Sequence, residues 1–215
     1  MIRVVIADDH TIVREGLRQL LTAAGDLEVV AEAVDGHEVL ACARSVDFDV
    51  LVLDMSMPGK SGMELIRQLK TEKPKLRIVV LTMHQESQYA VRAIKAGASG
   101  YLTKDSASAQ LVNAIRKVAG GGAFISAEVA EQLARQAQGA GDRAPHEALS
   151  DREFQVLRLL VAGVSLTEIG EQLHLSVKTI STHKSRILEK LGLANQAELI
   201  RYAIAHGLAE PLDRS

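Results

Sequence analysis

The first 120 residues alternate between short β-branched runs and longer stretches with helical periodicity, and this alternation constrains the fold more than any other feature. The runs predict the strands Arg3–Ala7, Leu27–Ala33, Val50–Asp54, Arg77–Thr82 and Gly100–Thr103. The stretches predict the helices Thr11–Ala24, Gly36–Ser45, Ser61–Glu72, Ser87–Ala96 and Ser106–Ala119. Strands that alternate with helices form right-handed βαβ units. The sequence therefore predicts a five-stranded, doubly wound parallel sheet with helices on both faces, an α/β fold.

Residues 120–148 separate this region from the rest of the chain. Gly120–Gly122 end the last helix, and Ser126–Gln138 predicts a further helix with Ser126 as its N-cap. The glycine-rich polar stretch Gly139–Pro145 favours a flexible linker, although a surface loop within one larger domain is the alternative. We expect a first domain at 1–124, a linker with a helix at 125–148, and a second domain at 149–215.

The last part of the chain is predicted to be all-α, with four helices. Ser150 and Glu153 have the spacing of a capping box, which begins the first helix, and Gly163 ends it. The other three are Leu166–Leu173, a helix capped by Ser176 that ends at Leu191, and Gln196–His206. A short helix, a tight turn and a longer helix are typical of a helix-turn-helix, whose second helix enters the major groove of DNA.

Composition excludes several classes of protein. The chain has 25 basic and 27 acidic side chains, so any nucleic-acid binding depends on local arrangement rather than on overall charge. One cysteine excludes an internal disulfide framework, and 3% aromatic residues argue against a stacking surface for single strands. No apolar run approaches the roughly 20 residues that span a bilayer, and the N-terminus lacks the apolar segment of a signal peptide. We expect a cytoplasmic protein without a membrane partner.

Polar side chains with complementary chemistry follow the predicted strands. Asp8 and Asp9 come after the first strand, Asp54 ends the third, Thr82 ends the fourth, and Lys104 follows the fifth. Ligands of open α/β sheets bind at the carboxyl ends of strands, and three carboxylates there require a hard cation such as Mg²⁺. These groups predict a phosphoryl-acceptor site with Asp54 as nucleophile, because Asp54 ends the central strand between the other groups.

The predicted recognition helix has an apolar back and a face of small hydroxyls and cations. Val177, Ile180, Ile187, Leu188 and Leu191 share one side, and Lys178, Ser181, Thr182, Ser185 and Glu189 share the other. Arg186, Lys190, Thr179 and His183 lie on a flank, and Lys184 projects toward the apolar side but can extend to a phosphate. The predicted DNA contacts are Lys178, Thr179, Ser181, Thr182, Lys184, Ser185 and Arg186.

Several of these segments carry a resemblance to a known family. Ala7–His10, Asp54–Gly59, Leu81–His84 and Gly100–Lys104 resemble the receiver domain of two-component response regulators, and residues 149–210 resemble the LuxR-type helix-turn-helix. Together they resemble the NarL/FixJ family, over about nine-tenths of the chain.

The resemblance implies a flavodoxin-like receiver and a phosphorylation-controlled transcription regulator rather than an enzyme. It implies that Asp54 receives phosphate from a sensor histidine kinase or a small phosphodonor, and that Asp8, Asp9 and the backbone carbonyl of Ser56 bind the metal. Thr82 and Tyr101 match the switch pair of the family, and Lys104 matches its invariant lysine. A helix-turn-helix of this size reads few base pairs, so we expect a homodimer when the protein is phosphorylated or bound to DNA. Leu199, Ile200, Ala203 and Ile204 are candidates for the contact.

Two other functions remain open from the sequence. A haloacid-dehalogenase-type phosphatase also uses an aspartyl nucleophile with Mg²⁺, but it needs an acid two residues later, where this chain has Ser56. A signalling adaptor would use the helical domain to bind protein instead of DNA. Four further residues also have interpretations without a functional role: Tyr101 as a packing residue, His10 and His84 as surface histidines, and Cys42 as a small buried hydrophobic residue.

Overall fold

The computed structural model describes residues 1–57, 62–83, 87–137 and 144–208. The chain divides into two compact units, Met1–Ala140 and Gly141–Ser215. In the described residues no helix is both long enough and apolar enough to cross a membrane.

The described part of the first unit contains one parallel sheet with strand order β2-β1-β3-β4-β5. Its strands are β1 (Ile2–Ala7), β2 (Leu27–Ala33), β3 (Val50–Asp54), β4 (Arg77–Thr82) and β5 (Gly100–Thr103). The helices between and after them are α1 (Thr11–Ala23), α2 (Gly36–Ser45), α3 (Gly62–Glu72), α4 (Ser87–Ala96) and α5 (Lys104–Ala119). The predicted fold class is confirmed, with the first strand one residue longer than predicted; Ser61 lies outside the described residues.

Burial on both faces of the sheet explains why its strands are so apolar. All five residues of β3 are buried, as expected of a central parallel strand. Leu17 and Leu21 of α1 and Leu111 and Ile115 of α5 pack against one set of strand residues in a single core cluster. The alternate strand positions are also buried, and α2, α3 and α4 pack as a row of neighbours. Helices therefore cover both faces and leave the carboxyl ends of the strands for a site.

The fifth helix begins earlier than its sequence pattern predicts. A start at Ser106 is wrong: α5 begins at Lys104, directly after Thr103, which has extended backbone at the N-cap position. The Ser106 hydroxyl donates to the Thr103 carbonyl at 3.0 Å. Ser106 therefore lies within the first turn of the helix and stabilises it. Lys104 consequently stands in the first turn of a helix, at the end of the sheet.

The segment after α5 returns to the edge of the sheet. Phe124 forms an isolated parallel bridge with Gly100, and its carbonyl accepts a hydrogen bond from Tyr101 N at 2.9 Å. Helix α6 (Ala127–Ala137) follows and packs against α4, with Val129 buried. Ser126 Oγ accepts from Val129 N at 3.3 Å, so the predicted cap is confirmed. Gln138 and residues 139–143 of the predicted linker lie outside the described residues.

The second unit consists, where described, of a short 3-10 helix (Pro145–Ala148) and four α-helices, α7 (Asp151–Val161), α8 (Leu166–Leu173), α9 (Val177–Leu191) and α10 (Gln196–Ala205). The predicted capping box of Ser150 and Glu153 is present. A second capping box, formed by Ser165 and Glu168, begins α8. The side chains of Ser176 and Asn195 cap α9 and α10. Local sequence signals thus define each helix start in this unit.

Candidate functional site

The strand register brings the predicted site residues to one edge of the sheet. Ala7 pairs with Leu53, Asp54 with Leu81, and Thr82 with Thr103. The residues at or just after these strand ends are therefore neighbours across the sheet. Asp8, Asp54 and Thr82 are all buried there.

Lys104 joins two of the carboxylates. Its Nζ atom lies 2.7 Å from Oδ2 of Asp8 and 3.0 Å from Oδ2 of Asp54. The lysine side chain is 14% exposed and both carboxylates are 1% exposed, so water screens these interactions weakly. One ammonium thus compensates two carboxylates in a nearly dry setting.

The pKa values in this cluster reflect burial and charge together. Burial raises the pKa of Asp54, and Asp8 adds to this effect, while Lys104 and the Ser56 amide oppose it; the net pKa is above the ordinary value. Burial lowers the pKa of Lys104, but its hydrogen bonds to Asp8 and Asp54 outweigh that effect and raise the net pKa. Lys104 therefore stays charged at neutral pH.

A tight turn after β1 presents the other acidic residue. His10 N donates to Oδ1 of Asp8 at 2.9 Å, and His10 Nδ1 lies 3.0 Å from Oδ1 of Asp9. Ligand atoms of Asp8, Asp9, His10 and Asp54 all lie within 4.8 Å of one another. Carboxylate oxygens are the ligands that Mg²⁺ prefers, so this donor set fits a hard divalent cation. His10 lies at the rim of the cluster, and its side chain is 64% exposed, as the interpretation of a surface histidine predicts.

The remaining predicted receiver residues, Ser56, Thr82 and Tyr101, differ in their contacts and burial. Ser56 N donates to Oδ1 of Asp54 at 3.1 Å, so the loop after β3 folds back on the carboxylate. Thr82 is fully buried, and Tyr101 is 9% exposed at the second position of β5. Tyr101 and Thr103 line a cavity of about 360 Å³ together with Glu128 and Val129 from α6. His84, Pro58 and Gly59 lie outside the described residues, and Cys42 is half-buried, with burial raising its thiol pKa.

Helices α8 and α9 meet through a close turn. His174 has left-handed backbone, with φ of 52°, and Leu175 N donates to the carbonyl of Gly170 at 2.8 Å. A Cβ atom on Gly170 would lie 2.7 Å from the carbonyl oxygen of Leu175. Glycine is therefore required at this position for the close approach, a constraint that sequence periodicity did not show.

The outward face of α9 agrees with its sequence projection, apart from one residue. Lys178, Ser181, Thr182, Ser185 and Arg186 are exposed, and Thr179 is half-buried. Ile180 and Ile187 are fully buried on the opposite side. Val177 lies on the apolar side in the same projection, but it is 44% exposed and so does not belong to the buried set.

Two lysines of α9 are held by partners that the sequence analysis missed. Lys184 Nζ donates to Oε1 of Gln196 at 2.7 Å, so the ammonium does not extend freely from the helix. Lys190 Nζ donates to Oε2 of Glu153 at 2.7 Å, where Glu153 is buried and also closes the capping box of α7. The pairing of a buried capping-box glutamate with a lysine 37 residues later leaves no local sequence signal.

Comparisons with known proteins agree with both halves of this description. The family described as "Response regulator receiver domain" matches residues 4–116, and "Bacterial regulatory proteins, luxR family" matches residues 147–203. Response regulator GacA of Pseudomonas viridiflava is 38% identical over 211 residues, covering 98% of this chain and 99% of that protein. The chain is a two-component response regulator of the NarL/FixJ family. Response regulator UvrY of Escherichia coli K12 is 37% identical, over 97% of this chain and 96% of its own length.

Solved structures of response regulators have the same architecture. The RcsB–DNA complex matches with 32% identity and a TM-score of 0.59, over 95% of this chain and 98% of that one. RcsB from Salmonella enterica serovar Typhimurium, bound to promoter rprA in the presence of the phosphomimetic BeF3−, gives 32% identity and a TM-score of 0.64, over 95% and 100% of the two chains. This response regulator thus combines a receiver with a LuxR-type DNA-binding domain, and it functions in phosphorylation-controlled regulation of transcription.

Proposed function

We propose that Asp54 is the phosphoryl acceptor of this response regulator, and that Asp8, Asp9, Asp54 and the backbone carbonyl of Ser56 hold Mg²⁺. The observation that carries the proposal is the Lys104 ammonium, which lies between the carboxylates of Asp54 and Asp8 at a buried strand edge. The carboxylates of Asp8, Asp9 and Asp54 converge at that edge, with His10 beside them, and this supports a divalent cation. When bound, Mg²⁺ would neutralise charge on the oxygens of the incoming phosphoryl group.

The chemistry assigned to Asp54 is nucleophilic substitution at phosphorus. One carboxylate oxygen forms a bond to phosphorus while the bond to the donor breaks, and the electron pair of that bond leaves with the donor. For a phosphohistidine of a sensor kinase, the donor is an imidazole nitrogen, which then takes up a proton. Lys104 moves from shared contact with the two carboxylates to the new phosphoryl oxygens, and the Thr82 hydroxyl binds one of them.

Thr82 and Tyr101 are proposed as the switch. Thr82 ends β4 and Tyr101 lies in the paired strand β5, so a shift of Thr82 toward the phosphoryl group leaves space for the tyrosine ring to follow. Tyr101 also lines the cavity that Glu128 and Val129 of α6 border, so a movement of its ring would change the surface next to that helix. The movement would bias a two-state equilibrium of the surface formed by α4, β5 and α6.

For DNA binding we propose α9 as the recognition helix. Lys178, Ser181, Thr182 and Ser185 would face base edges, and Thr179, Lys184 and Arg186 would contact phosphates. The exposure of the small hydroxyls supports the base contacts, since short side chains allow close approach to the groove. Lys184 would have to exchange Gln196 for a phosphate oxygen.

We also propose the partners and domain limits. A sensor histidine kinase donates the phosphoryl group, duplex DNA is the target, and two copies of the chain bind neighbouring half-sites. Leu199 and Ala203 of α10 are buried and Ile200 is half-buried, whereas Ile204 is 63% exposed and is accessible to a second copy. The proposed limits are 1–124 for the receiver, 125–148 for a linker whose helix α6 packs against α4 of the receiver unit, and 149–215 for the DNA-binding domain. A protein that binds the bacterial chromosome would act in the cytoplasm.

Phosphorylation of the purified chain tests the acceptor directly. Incubation with acetyl phosphate and Mg²⁺ should add one phosphate by intact mass, and Asp54→Ala should abolish the addition. Asp9→Ala should fold and keep the acceptor but require more Mg²⁺, because it removes one carboxylate ligand. Persistent labelling of the Asp54→Ala variant would assign the nucleophile to another carboxylate.

A further inference from the structure

Arg14, on the first turns of α1, reaches back to the acidic turn after β1. Its Nη1 atom donates to the backbone carbonyl of Asp8 at 2.8 Å, and its Nη2 atom lies 3.4 Å from Thr11 Oγ1. Its Nε atom donates to Oε2 of Glu32 on β2 at 3.1 Å. The Arg14 side chain is only 12% exposed, so these contacts define one arrangement rather than a loose surface pair.

We propose that Arg14 is a positioning residue for the metal-binding carboxylates, acting through the peptide between Asp8 and Asp9. This role presupposes the Mg²⁺ site proposed above. Glu32 holds the guanidinium from the neighbouring strand, and the guanidinium holds the Asp8 carbonyl. The chain of contacts therefore runs from β2 through α1 to the end of β1.

The Asp8 carbonyl is a sensitive place for such a contact. Its peptide plane connects Asp8, which lies against Lys104, to Asp9, which must turn toward the same cation. Rotation of that plane would change the direction of the Asp9 side chain, while Asp8 would remain held by the His10 amide and by Lys104. Fixing the carbonyl therefore fixes the relative direction of two carboxylates that repel one another before a cation binds.

A planar guanidinium suits this task better than an ammonium. Arginine donates through several N–H groups in a fixed plane, so one side chain can bind the carbonyl and the Glu32 carboxylate together. Lysine offers a single nitrogen, whereas Arg14 binds the carboxylate through Nε and the carbonyl through Nη1. Groups that orient metal ligands in this way commonly change metal affinity when they are removed.

Arg18 provides a matched control on the same helix. Its Nε atom lies 3.8 Å from Oε1 of the same Glu32, and its side chain is 56% exposed. Arg18 therefore shares the charge and the partner of Arg14 but has a looser contact with Glu32. Replacing it removes a similar charge near the site without releasing the Asp8 carbonyl.

The test measures binding of Mn²⁺, used as the probe cation, by the electron paramagnetic resonance signal of the free ion, with no phosphodonor present. Arg14→Ala should raise the dissociation constant about tenfold or more, whereas Arg18→Ala should stay within about twofold of the wild type. Arg14→Lys should give an intermediate value, and Glu32→Gln should weaken binding in the same direction. Saturating Mn²⁺ should restore acetyl phosphate labelling of Arg14→Ala, because the nucleophile itself is unchanged.

Two failures are distinguishable. If the wild-type chain neither binds Mn²⁺ nor accepts phosphate, the proposed site itself is wrong. If the wild type does both and folded Arg14→Ala binds Mn²⁺ equally well, the positioning role alone is overturned. Circular dichroism checks the fold of every variant; should Arg14→Ala not fold, unchanged binding by Arg14→Lys and Glu32→Gln overturns the role on the same criterion.

Discussion

The Nζ atom of Lys104 donates a hydrogen bond to Oδ2 of Asp54 at 3.0 Å, across 50 residues of sequence. The same atom lies 2.7 Å from Asp8. Because one ammonium serves two buried carboxylates, part of their negative charge remains uncompensated by the lysine. Burial raises the pKa of Asp54, and the nearby charge of Asp8 adds to that effect, so the net pKa lies above the ordinary value even beside a cation.

Asp54→Asn should therefore stabilise the apo protein at neutral pH. A carboxyl whose folded-state pKa is raised costs stability as pH rises above its ordinary value, and the amide removes that cost. The gain should be largest near neutral pH and should shrink as pH falls toward about 4, the ordinary range of an aspartate. Urea unfolding across this pH range measures it, with Asp47→Asn, at a position 94% exposed, as the control. A gain that does not depend on pH would contradict the prediction.

Glu153→Gln should destabilise the DNA-binding domain at neutral pH. Burial raises the pKa of Glu153, but hydrogen bonds from Lys190 and Ser150 outweigh burial and hold the net pKa below the ordinary value of 4.5. Stability from a depressed pKa is present above the ordinary value and is lost as pH falls through the folded-state pKa. We expect a loss of about 1–3 kcal/mol near pH 7, by urea unfolding.

Glu168→Gln is the control that distinguishes the contribution of the Lys190 ion pair from the contribution of the capping box. Glu168 closes the capping box of α8 in the same way, through hydrogen bonds with Ser165, but it is exposed. The Glu168 variant should lose less stability than the Glu153 variant. Equal losses would mean that Lys190 contributes nothing.

Arg186→Ala and Lys184→Ala should weaken binding to specific and random duplexes alike. Each loss of a phosphate contact should flatten the dependence of log affinity on log salt by about one unit. Gln196→Ala is the control, because it removes the partner of Lys184 and keeps the ammonium; its salt slope should match the wild type. A change confined to one base-pair position would show that the mutated residue reads sequence instead.

Phosphorylation should tighten binding to paired half-sites, one helical turn apart, much more than binding to a single half-site. The reason is that a second copy adds contacts only where a second half-site is present, and Ile204 offers an exposed apolar residue for them. Titration of both duplexes with phosphorylated and unphosphorylated protein measures the difference. An equal effect on both would favour release of an occluded domain, and no effect on either would contradict the switch.

The sequence predicted most of the fold because its local signals agree with one another. Val50–Asp54 is apolar up to its final aspartate, and Ser150 with Glu153 has the spacing of a capping box; both kinds of signal are read within a few residues. The start of α5 was predicted wrongly because Thr103 ends a strand and begins a helix without a loop. A change from strand periodicity to helix periodicity does not show at which residue such a junction lies.

The site was predictable only in part, because the sequence indicates which residues end the strands but not which side chains meet. Residues at strand ends could be assigned to one edge because parallel strands share a direction. The partners of Lys184 and Lys190, and the contact of Arg14 with the Asp8 carbonyl, depend on tertiary geometry over 6 to 37 residues. Nothing in the spacing of those residues indicates that their side chains meet.

The bridge between Phe124 and Gly100 determines where the receiver can be truncated or fused to another domain. Phe124 occupies the open edge of β5, and α6 buries Val129 next to it. A fragment that ends at residue 124 would lose α6 and leave an apolar flank beside an edge strand, where sheets from separate molecules can pair. Receivers isolated for biophysical work, or joined to a foreign output domain, should therefore retain the chain through Ala137.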